Sequence, residues 1–106
     1  QVNVSKDPKK TGIEAENVSQ MLEEIQGLEN LKLRGLMTIT ENTKEQSKQR
    51  KHFARLSRLL EELNYQHSLS DFNQLSMGMT QDLELAIAEG ATIVRVGTDI
   101  FGARET

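Results

Sequence analysis

Cysteine and tryptophan are absent from this chain of 106 residues, proline occurs once, and aromatic residues make up 4%. Without cysteine there is no disulfide framework and no thiolate metal site, which fits a reducing compartment. No apolar run approaches the roughly 20 residues that span a bilayer, and no signal peptide is visible. The expected setting is therefore soluble and cytoplasmic. Neither sign of charge dominates: the net charge is −3, so neither nucleic acid nor an anionic membrane is expected as a partner. An apolar share of 36% is lean for a free-standing globule, and the length allows one domain at most.

What is present alternates between strand and helix patterns. Val2-Asn3-Val4 reads as a short strand, followed by a polar loop from Lys6 to Gly12 that holds the proline. Val18, Leu22, Ile25 and Leu28 recur at helical spacing within Glu14–Leu28. Leu31–Ile39 alternates and then becomes continuously apolar, as strands buried on both faces do. Thr43-Lys44-Glu45-Gln46 fits a capping box opening a helix that reaches about Asn64, with Phe53, Leu56, Leu60 and Leu63 as its stripe. Strand Leu75-Ser76-Met77, helix Asp82–Glu89 and strand Thr92–Gly97 complete a βαβαβαβ order. That order predicts an α/β fold with four parallel strands joined by right-handed crossovers. A complete (β/α)8 barrel takes about 250 residues. The chain is accordingly expected to be the C-terminal half of such a barrel, about strands five to eight, with the N-terminal half absent.

Two strand ends carry the chemistry. Ser76-Met77-Gly78-Met79 and Arg95-Val96-Gly97-Thr98 each break from a strand into a glycine turn with a hydroxyl beside it. Such a turn alone is ordinary. Two adjacent ones offer backbone N–H groups and hydroxyls to a phosphate or sulfate, and the loops after the last two barrel strands are a recurrent phosphate site. Asp99-Ile100-Phe101-Gly102 is the expected short helix beside them. Arg95 alternates with Val94 and Val96, so it faces the side of its strand opposite to theirs. A buried guanidinium there needs a partner.

The segments LENLKLRGLMTI and LSMGMTQDLELAIAEGATIVRVGTDIFGAR closely resemble the YggS family of pyridoxal-phosphate (PLP) homeostasis proteins, and QVNVSKDPKKTGI looks like that family's fifth strand and loop. These are (β/α)8 barrels similar to the N-terminal domain of alanine racemase. The resemblance implies PLP as cofactor. It places Ser76, Met77, Gly78, Gly97 and Thr98 around the phosphate, Ser76 through its hydroxyl and Met77 through its backbone. It sets Arg95 at the pyridine nitrogen and, more loosely, Asn3 and Met37 beside the ring. The family's Schiff-base lysine lies on the first strand, in the half this chain lacks, so no catalytic residue is assigned here. Lys32 begins a strand, Lys44, Lys48 and Lys51 belong to a helix, and Lys6 matches the loop.

The function so implied is to hold, buffer or deliver PLP without turnover. An arginine cannot accept a proton at neutral pH and leaves the ring unprotonated, a weaker electron sink. One alternative is a PLP-dependent amino-acid racemase, which needs a second acid or base, usually tyrosine. The single tyrosine, Tyr65, reads as part of a polar loop. Another is a stand-alone α/β interaction domain acting through Lys48, Arg50, Lys51, Arg55 and Arg58, which otherwise form a solvated helix face. Met79 reads as a core filler, His52 and His67 as solvent-facing, and no metal site is expected. A half-barrel with open edges is expected to self-associate or to pair with its missing half.

Overall fold

In the computed structural model, residues 1–6, 11–40 and 45–102 are described. Four of the strands lie where the apolar pattern puts them: β1 (Val2–Asn3), β3 (Gly35–Met37), β4 (Gln74–Met79) and β5 (Ile93–Arg95). A further strand, β2 (Ile13–Glu14), was not expected. It pairs in parallel with β1, and β3, β4 and β5 form a separate parallel sheet in that order. The expected run of four adjacent strands is thus divided: β1 pairs with β2, and no ladder joins it to β3 among the described residues.

Helices α1 (Val18–Gln26), α2 (Gln46–His67), α3 (Leu83–Ala88) and α4 (Thr98–Phe101) connect and follow the strands. The expected helix from Glu14 begins later. Ile13 N–H donates to the Gln1 carbonyl at 2.9 Å, which holds Ile13–Glu14 extended, and a single 3-10 turn at Ala15–Asn17 precedes α1. The strand expected over Leu31–Ile39 contracts to three residues. Before it, the Arg34 carbonyl accepts from both Asn73 and Gln74 N–H, which ends the ladder at Gly35.

Helix α2 buries Gln49, Phe53, Leu56, Leu60 and Leu63, a stripe at alternating four- and three-residue steps. It lies on the face of the sheet carrying Leu36, Leu75 and Met77, all buried in one core with Val2, Val4 and Leu22. The helix starts after Glu45, so the Thr43 and Lys44 part of the expected capping box, like Lys44 as a helical lysine, lies outside the described residues. It also runs past Asn64 to His67 and ends where Ser68 turns left-handed at φ 50°. Tyr65 is therefore helical, not in a loop, and 90% exposed.

The opposite face of the sheet is only partly covered. Met37, Ser76 and Ile93 stand side by side there by register, and Arg95 follows Ile93 by two residues on the same face. The first two are half-buried and Ile93 is exposed. No helix among the described residues is long and apolar enough to cross a membrane.

Candidate functional site at the strand ends

The C-terminal ends of β4 and β5 come together as the paired motifs predict. Met79 lies opposite Arg95 across a register irregularity that follows Ser76. Past the strands, Gly97 N–H donates to Thr80 Oγ1 at 3.3 Å, closing one turn on the other. Asp82 Oδ1 accepts from Met79 N–H at 2.7 Å and fixes the exit of β4. Gly97 then caps α4, the expected short helix, whose first N–H groups have no acceptor within the turn.

Each candidate residue can now be placed. Ser76 is half-buried, and its side chain makes no hydrogen bond among the described residues. The Met77 side chain is fully buried in the core, so only its backbone faces the turn. Gly78 has φ +99°, and a Cβ there would meet Ala86 Cβ at 2.6 Å. Its glycine is required by packing on α3. Gly97 differs: at φ −115° its added Cβ meets nothing within 4 Å, so the space above it is open. Thr98, also exposed, opens α4. Met37 neighbours Ser76 in register. Asn3 sits on β1, in the other sheet, between the buried Val2 and Val4, and accepts from Ser5 Oγ at 3.4 Å. It is joined to the group through Thr38, whose hydroxyl donates to the Val2 carbonyl at 2.7 Å.

Arg95 is half-buried, and its Nη2 donates to the Thr38 carbonyl at 2.8 Å. Its Nε is buried with no hydrogen-bond partner among the described residues. A buried donor left unpaired costs about 1–3 kcal/mol, so this N–H presents an unmet demand for an acceptor.

Some expectations need correction. Met79 is 46% exposed at the strand end and fills no core. His52 and His67 are half-buried, not solvent-facing, and His67 Nε2 shares a 2.8 Å hydrogen bond with Ser19 Oγ that ties α2 to α1. Among the described residues no three of His, Asp and Glu come together to hold a metal. A depression of about 300 Å³ lies elsewhere, against Leu22, Leu33 and Phe72 before the starts of β3 and β4. Lys32, its one charged lining residue, is already paired with Asp71 at 2.9 Å. That pairing, through the hydrogen bond first and the lysine charge second, holds the Asp71 carboxyl below its ordinary value. Thr38, Thr80 and Asp82 were not anticipated. Hydroxyl and carboxylate residues just past a glycine turn are the local signal for the last two. Thr38 had none, because its role depends on which strands meet it.

A profile described as "Alanine racemase, N-terminal domain" matches residues 1–105. The chain belongs to the alanine racemase N-terminal-domain family. It is 50% identical over 105 residues to a "Pyridoxal phosphate homeostasis protein" of Pseudomonas aeruginosa, covering 99% of this chain and 44% of that protein. Among solved structures, PipY of Synechococcus elongatus without PLP superposes with a TM-score of 0.89 at 36% identity, over 96% of this chain and 47% of that one. The same protein with PLP bound gives 0.84 at 34% identity, over 95% and 47%. The resemblance to the YggS proteins thus stands at the level of family and of named relatives. The chain spans about half the length of the curated relatives that it matches.

Proposed function

We propose that this chain is the C-terminal half of a (β/α)8 barrel that holds PLP for cofactor homeostasis in the cytoplasm, without turnover. The observation that carries this reading is the buried, partnerless Nε of Arg95 beside the paired turns. The residues fit the group. Ser76 Oγ, the backbone at Met77–Gly78 and the open turn at Gly97–Thr98 would hold its phosphate. Arg95 would meet the ring nitrogen, with Met37 and Asn3 beside the ring. PLP, when bound, supplies an aldehyde for a lysine amine and an electron-withdrawing ring. Arg95 donates and cannot accept a proton, so the nitrogen it meets stays an acceptor.

The lysine anchor is assigned to the other half of the barrel. Lys32 is paired with Asp71 at the far end of β3, and Lys48 and Lys51 are exposed on α2. Relatives twice as long, one of them with PLP bound, support this division. So do the half-open sheet face and the apolar residues beside the free edge of β5, where Ile100 is 68% and Phe101 84% exposed. Parallel sheets are ordinarily covered on both faces, and the missing half or a second copy would cover this one. A racemase would need a second acid or base. The one tyrosine, Tyr65, points from the outer surface of α2 into solvent.

The test is to mix the chain with PLP, reduce with borohydride and map modified lysines by mass spectrometry. Scattered labelling at surface lysines such as Lys48 and Lys51 is expected, together with a lysine-bound PLP absorbance band in the full-length protein alone. Stoichiometric labelling of one lysine in a stable monomer of this chain would overturn the half-barrel reading.

A further inference from the structure

Thr38 is 1% exposed, at the point where three strands meet. Its N–H donates to the Ser76 carbonyl of β4 at 3.0 Å. Its hydroxyl donates to the Val2 carbonyl of β1 at 2.7 Å, across a gap that no backbone ladder bridges. Its own carbonyl accepts from Arg95 Nη2 of β5 at 2.8 Å. One residue therefore gathers β1, β4 and β5 at the strand ends.

A guanidinium is a rigid planar fork, so holding Nη2 on the Thr38 carbonyl restricts the directions that the Nε–H can take. The protein gives Arg95 Nη2 this carbonyl and leaves Nε buried without a partner among the described residues. The Thr38 N–H ties the residue to β4, and its hydroxyl adds the tie to β1, to which no ladder joins β3 among the described residues. We infer that Thr38 is the positioning residue for Arg95: its hydroxyl sets the peptide whose carbonyl aims the Arg95 Nε–H at the bound ring. This rests on the PLP reading above. It adds a specific dependence, in which ring recognition but not phosphate recognition runs through Thr38.

The alternative is that Thr38 is a buried hydroxyl satisfied by the nearest carbonyl and acting on the fold as a whole. Thr38→Val keeps the shape and removes the donor, and Thr38→Ser keeps the donor. In the chain itself, the Arg95 Nε–H cross-peak in a proton–nitrogen spectrum reports the guanidinium without any ligand. Thr38→Val is expected to shift it and to speed its hydrogen exchange about tenfold, with Thr38→Ser close to wild type. In the full-length protein Thr38→Val is expected to weaken PLP about tenfold, the scale of one misdirected hydrogen bond to a charged group. Affinity for inorganic phosphate should stay unchanged. An unmoved Arg95 cross-peak, or equal losses for PLP and phosphate, would overturn the inference. Arg95→Lys separates the two levels. If that variant binds PLP as well as wild type, the ring assignment of Arg95 fails whatever Thr38 does. If it binds PLP poorly while Thr38→Val binds it normally, the positioning role alone fails.

Discussion

Gly78→Ala is expected to be the most damaging methyl that can be added at the site, for reasons unconnected with any ligand. The glycine sits at φ +99°, where an L-residue is strained by about 1–2 kcal/mol. Its new Cβ would stand 2.6 Å from Ala86 Cβ and 3.3 Å from Leu83 Cα, so α3 has to be pushed off β4. Overpacking of this kind costs about 1–3 kcal/mol. The two terms give about 2–5 kcal/mol, a large part of the roughly 5–15 kcal/mol that stabilises a domain. At a urea dependence of about 1–3 kcal/mol/M, the unfolding midpoint should fall by roughly 0.7 M or more.

Gly97→Ala is the matched control. Its φ of −115° suits any residue and its Cβ meets nothing within 4 Å, so stability should stay within about 0.5 kcal/mol of wild type. Ala86→Gly removes the atom that Gly78→Ala strikes. The double variant should therefore recover the packing part of the loss, a coupling of about 1 kcal/mol or more in the thermodynamic cycle. Urea unfolding followed by circular dichroism measures the four variants and wild type. Equal midpoints for Gly78→Ala and Gly97→Ala, or no coupling to Ala86, would refute the argument that α3 packing demands the glycine.

Ser76→Ala in the full-length protein should weaken PLP by about 1–2 kcal/mol in an equilibrium titration while leaving the unfolding midpoint unchanged, because the hydroxyl has no partner among the described residues. Lys32→Met should return the Asp71 carboxyl toward its ordinary value of 3.8, followed by carbon-detected titration. Since folding lowers that carboxyl's pKa, the stabilisation from the pair is present above 3.8 and is lost as pH falls through the folded value, so the variant should show a weaker acid dependence of stability there.

The parts of this fold that were legible in the sequence are those whose signal repeats. Phe53, Leu56, Leu60 and Leu63 state the buried side of α2 several times over, and each lies in the core. The two glycine turns were legible because a hydroxyl and a bend recur at both strand ends, and the structure pairs them. Ile13–Glu14 was not, since two residues carry no period and their extension follows from a bond to Gln1 ten or more positions away. Leu31 and Leu33 alternate like a strand, yet they line the cavity at the far end of the sheet. There the Arg34 side chain donates to the Asp71 carbonyl at 2.9 Å and shapes the turn instead. The last turn of α2 is polar in sequence and remains helical with His67 held by Ser19. Long-range hydrogen bonds overrode local pattern in each of these places.

The same contrast explains where the site comes from. The strand ends consume most of their own polar groups: Met79 N–H goes to Asp82, Gly97 N–H to Thr80, and Arg95 Nη2 to Thr38. What survives this internal pairing is small, chiefly the Ser76 hydroxyl and the buried Arg95 Nε. The hydroxyl has access to solvent and waits at little cost, whereas the guanidinium donor is held out of water at about 1–3 kcal/mol. An acceptor that reached Nε would remove that penalty on binding and gain roughly tenfold or more in affinity from the one contact. If PLP lies as proposed, its ring nitrogen is that acceptor. A ligand with both groups would then gain over phosphate alone from the donor that the fold leaves unpaired among the described residues.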